Sequence, residues 1–410
     1  MSYDERDRVI IQTSERLALQ GGTPVRPSFL PFHQPLIDAD DERAVLETLR
    51  SGWLTTGPRT KAFEAALAGF VGAAHCVAVN SCTAALHLGL EAVGVGAGHE
   101  VITTPITFAS TANVIVHRGA RPVFVDVEPD TLNIDAAAIE AAITPQTKAL
   151  IPVDFAGHPC DLDAIMALGA RHRLPVIEDA AHSIGAEYKG RRVGGIADMT
   201  AFSFYATKNI TSGEGGALTT NRSDWAERIG VMALHGISRD AWKRYGSDGY
   251  RHWDIIAPGY KYNMFDLQAA LVGSQLQKLD AFHDRRVTVK ARLDAGLGDI
   301  EEIVLPGERP SIMHAYHLYP IVVRAEMLTA DRDTIMNAIQ GENVGIGVHF
   351  RAVHLHPFYA DTFGFRRGMF PNAEYYSDRT ISLPLYPRMT DADADDVVAA
   401  VRKVLSHYRR

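Results

Sequence analysis

Cysteine and long apolar runs are scarce in this sequence, and each shortage excludes a class of protein. The three cysteines, Cys76, Cys82 and Cys160, form no CxxC pair among 410 residues, so neither a disulfide framework nor a zinc site is indicated. No apolar run reaches the roughly 18 residues of a membrane-spanning helix, and the charged N-terminus lacks the apolar core of a signal peptide. We therefore expect a cytoplasmic protein that does not enter a membrane and holds no metal.

An excess of positive charge is also missing. The formal net charge is −8, which argues against a surface for nucleic acid or anionic lipid. Neither a Walker A motif nor a GxGxxG motif is found where a strand turns into a helix, so nucleotide-phosphate loops of those types are disfavoured. An anionic ligand would then need local backbone amides and a few well-placed cations.

Short apolar strands and helical segments alternate regularly between residues 76 and 221. This alternation is typical of an α/β fold with a mostly parallel sheet covered by helices on both faces. Such sheets bind ligands at the carboxyl ends of their strands. Seven strands are predicted, at 76–80, 100–105, 121–127, 148–155, 174–180, 200–205 and 217–221.

The remainder of the chain has a different pattern. A long amphipathic helix is predicted through Leu267 and Leu279, and an α+β pattern follows, with strands at 314–323 and 343–350. The length favours more than one domain. The predicted division is an N-terminal arm, a large ligand-binding domain and a smaller α+β domain, at 1–35, 36–281 and 282–410.

Lys208 lies where the strand at 200–205 ends, in the stretch MTAFSFYATKNITSGEGGA. A lysine that is partly closed off from water loses some of its charge, and the neutral amine can bond covalently to a carbonyl compound. Read alone, Lys208 is more often a solvated loop lysine. The neighbouring strand ends decide between these interpretations.

Other strand ends carry polar or aromatic side chains. Ser81 and Thr83 begin a helix whose free amides suit a phosphate, although an ordinary N-cap explains them equally well. Asp179 can pair with a protonated ring nitrogen, orient His182 or simply cap a helix, and the few ligand types nearby disfavour a metal. Phe108 can stack on a planar ligand, whereas a single aromatic is more often core.

Histidines are concentrated in the second half of the chain, and each is more often structural than catalytic. The segment HFRAVHLHPF, at 349–358, is the densest basic and aromatic patch of this acidic chain, so it is a candidate contact for an anionic substrate. The loops that decide specificity are expected at WLTTGP, at 242–253 and at 349–358. The candidate substrate residues are Thr56, His317, His349 and Arg351.

Taken in order, NSCTAALHL, TTPITFAS, EDAAHSIGA, FSFYATKNITSGEGGA and GYKYNMFDLQAAL resemble the DegT/DnrJ/EryC1/StrS family of sugar aminotransferases. The resemblance extends from about residue 35 to the end of the chain. It implies a pyridoxal-phosphate (PLP) enzyme of fold type I, with a seven-stranded sheet in its large domain. WLTTGP, KNITSGEGG, PGYKYN and HFRAVH look most similar to the UDP-4-amino-4-deoxy-L-arabinose aminotransferase branch.

The resemblance also implies roles for individual residues. Lys208 matches the lysine that binds the cofactor covalently and moves the proton, and Asp179 matches the partner of the pyridinium nitrogen. His182 stands where many members have Gln, and Phe108 matches the aromatic that stacks on the ring. The phosphate cradle is matched by Ser81, Cys82, Thr83 and Ser203, joined by Asn263 from a partner subunit.

The implied reaction takes an amino group from an amino acid, L-glutamate by expectation, to C4 of a UDP- or dTDP-linked keto sugar, in a homodimer with shared active sites. C3 amination stays open, and so does a dehydratase or isomerase on the same cofactor. A non-catalytic regulatory protein is the remaining alternative. Members that act as dehydratases carry histidine in place of lysine, so Lys208 favours amino transfer. One departure is that Asn263 is followed by Met-Phe-Asp, whereas a frequent family pattern has an arginine two residues after the asparagine.

Overall fold

The computed structural model describes residues 16–238 and 253–410. The loop expected at 242–253 therefore lies almost entirely outside the described residues. In the described ranges, no helix combines the length and apolar character that a bilayer crossing needs. The same ranges hold no cluster of three or more His, Cys, Asp or Glu side chains arranged to bind a metal ion.

The predicted seven-stranded sheet is confirmed. Two hydrogen-bonded sets, β1-β9-β8-β5 and β3-β2-β4, are joined edge to edge by parallel bridges from Leu150 to Val176 and from Val153 to Asp179. β9 runs antiparallel to both of its neighbours, and the other pairings are parallel. The strands of this part are β1 (His75–Val79), β2 (Glu100–Thr103), β3 (Arg121–Phe124), β4 (Thr147–Leu150), β5 (Ile177–Asp179), β6 (Glu187–Tyr188), β7 (Arg191–Arg192), β8 (Met199–Ser203) and β9 (Gly216–Thr220).

Helices cover the sheet, and their termini follow from local sequence. Asp38 caps the first helix by accepting from the N–H groups of Asp40 and Asp41, and Gly52 ends it in the left-handed conformation. The third helix is almost entirely buried against the sheet, and its buried residues include His87 and Glu91. These helices are α1 (Ala39–Ser51), α2 (Pro58–Val71), α3 (Cys82–Ala92), α4 (Ala109–His117), α5 (Ala136–Ala142), α6 (Leu162–His172) and α7 (Ser223–Ala233).

The long helix predicted through Leu267 and Leu279 is instead two helices, α8 (Asp266–Leu276) and α9 (Leu279–Leu297). The break falls at Lys278, whose backbone is not helical. Its ammonium group binds Asp38 and Asp41 of α1 at 2.7 Å each, which fixes the junction against that helix.

The C-terminal part has a small antiparallel sheet in the order β10-β12-β13. The strand predicted at 343–350 is wrong: Val344 bridges Leu30 in parallel, whereas Gly347 bridges Ser382 in antiparallel, so no continuous ladder forms. The division into domains stays a prediction. The elements are β10 (Ile303–Val304), β11 (Ile312–Met313), β12 (Tyr319–Val323), α10 (Arg332–Gly341), α11 (Pro357–Phe363), α12 (Pro371–Ser377), β13 (Thr380–Leu383) and α13 (Asp391–Tyr408).

Candidate active site

Lys208 lies in the turn between β8 and β9. Its backbone N–H donates to the Tyr205 carbonyl at 2.9 Å, and the Thr211 hydroxyl donates to the Phe204 carbonyl at 3.0 Å, which closes the turn. The lysine is half-buried. Burial lowers the pKa of Lys208 to about 8, against the opposing attraction of Cys82 and Asp179.

Asp179 ends β5, next to β8 in the sheet, and is 4% exposed. One carboxylate oxygen accepts from the Thr111 hydroxyl at 2.7 Å, and the other accepts from the Ala181 N–H at 3.2 Å. Burial raises the pKa of Asp179, whereas these hydrogen bonds and the Lys208 ammonium lower it. A carboxylate has more acceptor sites than these two donors fill, so Asp179 can bind a further N–H group.

The start of α3 faces the same edge of the sheet. Ser81 is its N-cap and accepts from the Ala84 N–H at 3.1 Å, so the N-cap interpretation holds for its hydroxyl. No described residue accepts from the N–H groups of Cys82 and Thr83, which leaves two donors in the first turn for an anion. The Cys82 thiol lies 3.9 Å from Asp179, and burial raises its pKa well above the usual range.

Ser203 is the last residue of β8 and pairs with Gly216 of β9. A Cβ atom at Gly216 would lie 2.3 Å from the carbonyl carbon of Ser81 and 2.5 Å from the Cys82 nitrogen. Glycine is therefore required at position 216 for β9 to approach the start of α3. Ser203, as the β8 partner of Gly216, lies on the strand next to this approach.

Phe108 precedes α4 and is 64% exposed, which is unusual for a phenylalanine at a strand end. Its ring centroid lies 6.2 Å from that of Phe350. The core interpretation is wrong for this residue. An uncovered aromatic face near Asp179, whose carboxylate binds Thr111 of the same helix, suits a planar ligand.

His182 and His317 are buried together, with ring centroids 4.4 Å apart. His317 Nδ1 is 3.1 Å from Asn209 Oδ1, whereas Nδ1 of His182 is buried without a hydrogen-bond partner. Burial lowers the pKa of both rings well below the usual value, and the Lys208 ammonium lowers both further. Both rings are therefore neutral at pH 7, and His182 has a ring nitrogen to offer a ligand.

His349 lies in a cleft that it shares with His317 and with Thr207, the neighbour of Lys208. Its Nδ1 is 2.9 Å from the Ser382 hydroxyl, and burial lowers its pKa to about 4. Arg351 is exposed and lines neither of the clefts near Lys208; its guanidinium donates to the Leu355 carbonyl at 3.0 Å. Of the two residues from the basic segment, only His349 is brought to Lys208.

Thr56 and Asn263 are brought together in this chain. The Asn263 amide donates to the Thr56 hydroxyl at 2.7 Å, and that hydroxyl donates to the Met264 carbonyl at 2.5 Å. Asn263 bridges Val79, at the end of β1. Thr56 is buried with its hydroxyl in use, so it holds the loop that carries Asn263.

These residues fit a flat, anionic, carbonyl-bearing cofactor such as PLP: an amine of lowered pKa, a carboxylate with spare acceptor capacity, free amides and an uncovered aromatic face. The sequence did not reveal Thr111, Asn209 and Phe350, which support Asp179, His317 and Phe108. Thr111 follows Phe108 by three residues, one helical turn, and that spacing is the one signal that was available.

Comparison with known proteins agrees with this arrangement. The model of the DegT/DnrJ/EryC1/StrS aminotransferase family matches residues 35–402. The spore coat polysaccharide biosynthesis protein SpsC of Bacillus subtilis is 50% identical over 381 residues, which cover 93% of this chain and 98% of SpsC.

Solved structures give the same result. Spr1654 of Streptococcus pneumoniae, assigned as a sugar aminotransferase, has a TM-score of 0.86 in its PMP form at 32% identity, covering 92% of this chain and 98% of that one. Its PLP form has a TM-score of 0.85. PseC of Helicobacter pylori, an aminotransferase involved in the biosynthesis of pseudoaminic acid, has a TM-score of 0.86 at 30% identity, covering 93% of this chain and 100% of PseC.

Proposed function

The chain belongs to the DegT/DnrJ/EryC1/StrS aminotransferase family and is a PLP-dependent sugar aminotransferase, and on this premise we propose its substrates and the roles of its residues. The acceptor is a nucleotide-linked keto sugar, aminated at C4 and carried by UDP or dTDP. The donor is L-glutamate. The observation that carries the proposal is the half-buried Lys208, whose pKa falls to about 8.

Lys208 holds the cofactor and moves protons through its Nζ atom. Burial keeps part of the amine neutral near pH 7, and only the neutral amine accepts a proton. Thr207, the preceding residue, lines the cleft that holds His317 and His349, so we place the sugar on that side. Bound PLP supplies an electron sink for the negative charge that develops on the substrate carbon.

The other residues fix the cofactor's orientation. Asp179 provides the negative charge that keeps a ring nitrogen protonated, and Thr111 fixes its carboxylate by a 2.7 Å hydrogen bond. The free N–H groups of Cys82 and Thr83 bind the phosphate at the positive end of α3. Phe108 covers one face of the ring. His182 contributes a neutral ring nitrogen.

The proposal includes a cytoplasmic homodimer in which Asn263 reaches the partner's phosphate site, and two domains divided after residue 281. The shared site rests on the family resemblance of GYKYN. Within this chain, Asn263 bridges Val79 at the end of β1, two residues before Ser81 begins the cap of α3.

The test is to incubate the purified PLP form with L-glutamate and a panel of UDP- and dTDP-linked 4-keto and 3-keto sugars. Mass spectrometry of the sugar and assay of 2-oxoglutarate are expected to show one amino sugar per 2-oxo acid, for a 4-keto acceptor. A dehydratase would change the sugar without consuming glutamate in proportion. That result, or no reaction with any acceptor, would refute the proposal.

A further inference from the structure

Arg286 is a buried cation with three of its five N–H donors unused. It lies in α9 and is 1% exposed. Its Nη1 donates to the Leu385 carbonyl at 2.7 Å and to the Tyr316 carbonyl at 3.1 Å. Its Nε and Nη2 atoms have no hydrogen-bond partner, and no acidic side chain of residues 16–238 or 253–410 forms an ion pair with it.

A buried charge without a counter-ion is costly, because burial removes the hydration that stabilises it. Neutral carbonyls compensate only one nitrogen of Arg286. The unpaired Nε and Nη2 are adjacent and present two parallel N–H groups. This edge of a guanidinium is the one that binds a carboxylate through two hydrogen bonds.

The cleft beside Arg286 also contains Lys208. It is lined by Arg286, Lys208, Asn209, His33 and Gln275, among others, none of them acidic. Burial and the Arg286 charge lower the pKa of His33 to about 3, so its ring is neutral and adds no second cation. His33 also lines the cleft that holds His317 and His349, so the two clefts adjoin.

Resting on the proposed function, we propose that the Nε–Nη2 edge of Arg286 receives a carboxylate group of the amino donor while the donor reacts at Lys208. The donor is the substrate that carries a carboxylate. Arg286 thus selects the donor, and the adjoining cleft remains for the sugar.

The first experiment measures binding to the PMP form by calorimetry, with glutarate as the probe because this dicarboxylate cannot react. Wild type should bind glutarate at least 10-fold more tightly than glutaramide, its uncharged diamide. Arg286→Lys keeps the charge but loses the paired N–H groups, so we expect a roughly 10- to 100-fold loss of glutarate affinity. Arg286→Met should remove measurable binding.

Arg285 supplies the matched control. It is the preceding residue of α9, but its guanidinium donates to the Met389 carbonyl and Asp391, and it does not line the cleft. Arg285→Met should leave glutarate affinity within about twofold of wild type. Because Arg286 is buried, each variant is first checked by thermal melting and by its cofactor spectrum. If the variants do not fold, equal binding of glutarate and glutaramide to wild type alone would overturn the proposal.

The half-reactions separate this inference from the proposed function. Arg286→Lys should slow conversion of the PLP form to the PMP form by L-glutamate, through a raised KM, and leave the reaction of the PMP form with a keto sugar within about twofold. If L-alanine slows as much as L-glutamate, the bound group is the α-carboxylate; if only L-glutamate slows, it is the distal one. Unchanged glutarate affinity in Arg286→Lys, or equal loss in both half-reactions, would overturn the inference. If no keto sugar reacts although the donor half-reaction proceeds normally, only the proposed identity of the acceptor is refuted.

Discussion

Two opposing effects determine the charge of Lys208. Burial disfavours the ammonium, whereas Cys82 and Asp179 favour it, and burial prevails because the pKa falls from 10.5 to about 8. At pH 7 roughly one lysine in ten is then neutral, against fewer than about one in a thousand for an unperturbed lysine. The amine is therefore ready to react at neutral pH without a separate general base.

Replacing Lys208 with methionine should stabilise the cofactor-free protein at pH 7. A lysine whose folded pKa is below its unfolded pKa binds fewer protons in the folded state between pH 8 and 10.5, so wild-type stability rises with pH across that window. We expect Lys208→Met to raise the free energy of unfolding by on the order of 1–2 kcal/mol at pH 7, after discounting for partial exposure. Urea unfolding at several pH values measures this gain, which should shrink above pH 8. A gain that does not change with pH would contradict the lowered pKa.

The sequence located candidate residues where a position follows from a strand end. Asp179 and Phe108 were identified because parallel strands bring their carboxyl ends to one edge. Arg286 was not identified, because its significance depends on which carbonyls it meets across the fold and which of its nitrogens they leave free. No spacing along α9 carries that information. The contact between His182 and His317 was missed for the same reason.

At the scale of elements, the proposed phosphate site depends on how closely β9 approaches the start of α3. Gly216 permits this approach, since any side chain there would collide with the Ser81 and Cys82 backbone. The two free amides of α3 are useful to an anion only in that position. The turn with Lys208 connects β8 to β9, so the same pairing holds the lysine and the cradle together.

Gly216→Ala should therefore weaken PLP binding by at least about 10-fold, because the α3 start must move by more than an ångström to relieve contacts of 2.3 and 2.5 Å. Fluorescence titration of the cofactor-free protein with PLP measures the change. Gly230→Ala is the control: a Cβ there meets no atom within 4 Å, and alanine favours helix α7 by up to about 1 kcal/mol. Equal PLP affinity in the two variants would exclude this role for Gly216.

Sequence periodicity predicted the helices and the seven main strands because each is long or apolar enough to pack in only one way. It failed at Lys278, where ion pairs with α1 interrupt a helical pattern, and at 343–350, where two glycines and two different partners replace a ladder. Both failures come from contacts between segments distant in sequence. Local propensity does not determine such contacts.

At the scale of the whole molecule, the proposed shared site predicts complementation between inactive variants. Lys208→Ala removes the reactive amine, and Asn263→Asp places a negative charge where the partner's phosphate would bind. Each homodimer should be inactive. A mixture that has exchanged subunits should recover up to about a quarter of wild-type activity, because half of the dimers are mixed and each has one intact site. A size-exclusion profile of a monomer, or no recovery after verified exchange, would contradict a shared site.

Buried neutral histidines make the whole fold sensitive to acid. Burial lowers the pKa of His87 and His349 to about 4, so unfolding in acid takes up protons and stability falls as pH drops below 6.5. Asp154 opposes this trend because burial raises its pKa to about 6. The histidines that share the lowered pKa are His33, His87, His158, His182, His314, His317, His349, His354 and His356.

The histidines outnumber the opposing carboxyls, so the urea midpoint should decline steeply between pH 6 and 4.5. His87→Gln should remove about one of the protons that unfolding takes up in this pH range, and so make the decline less steep. The substitution leaves the candidate site intact, because His87 lies in α3 against Tyr262. An unchanged slope in this variant would show that His87 is not neutral in the folded state.

The central claim is that Lys208 carries the cofactor, and borohydride trapping tests it most directly. The PLP-loaded protein is reduced, digested and analysed by mass spectrometry. We expect one pyridoxyl group per chain, on the peptide that contains Lys208, and loss of both this label and the visible absorbance in Lys208→Ala. A label on another lysine, such as Lys261, or a reduced protein that carries no pyridoxyl group, would contradict the account.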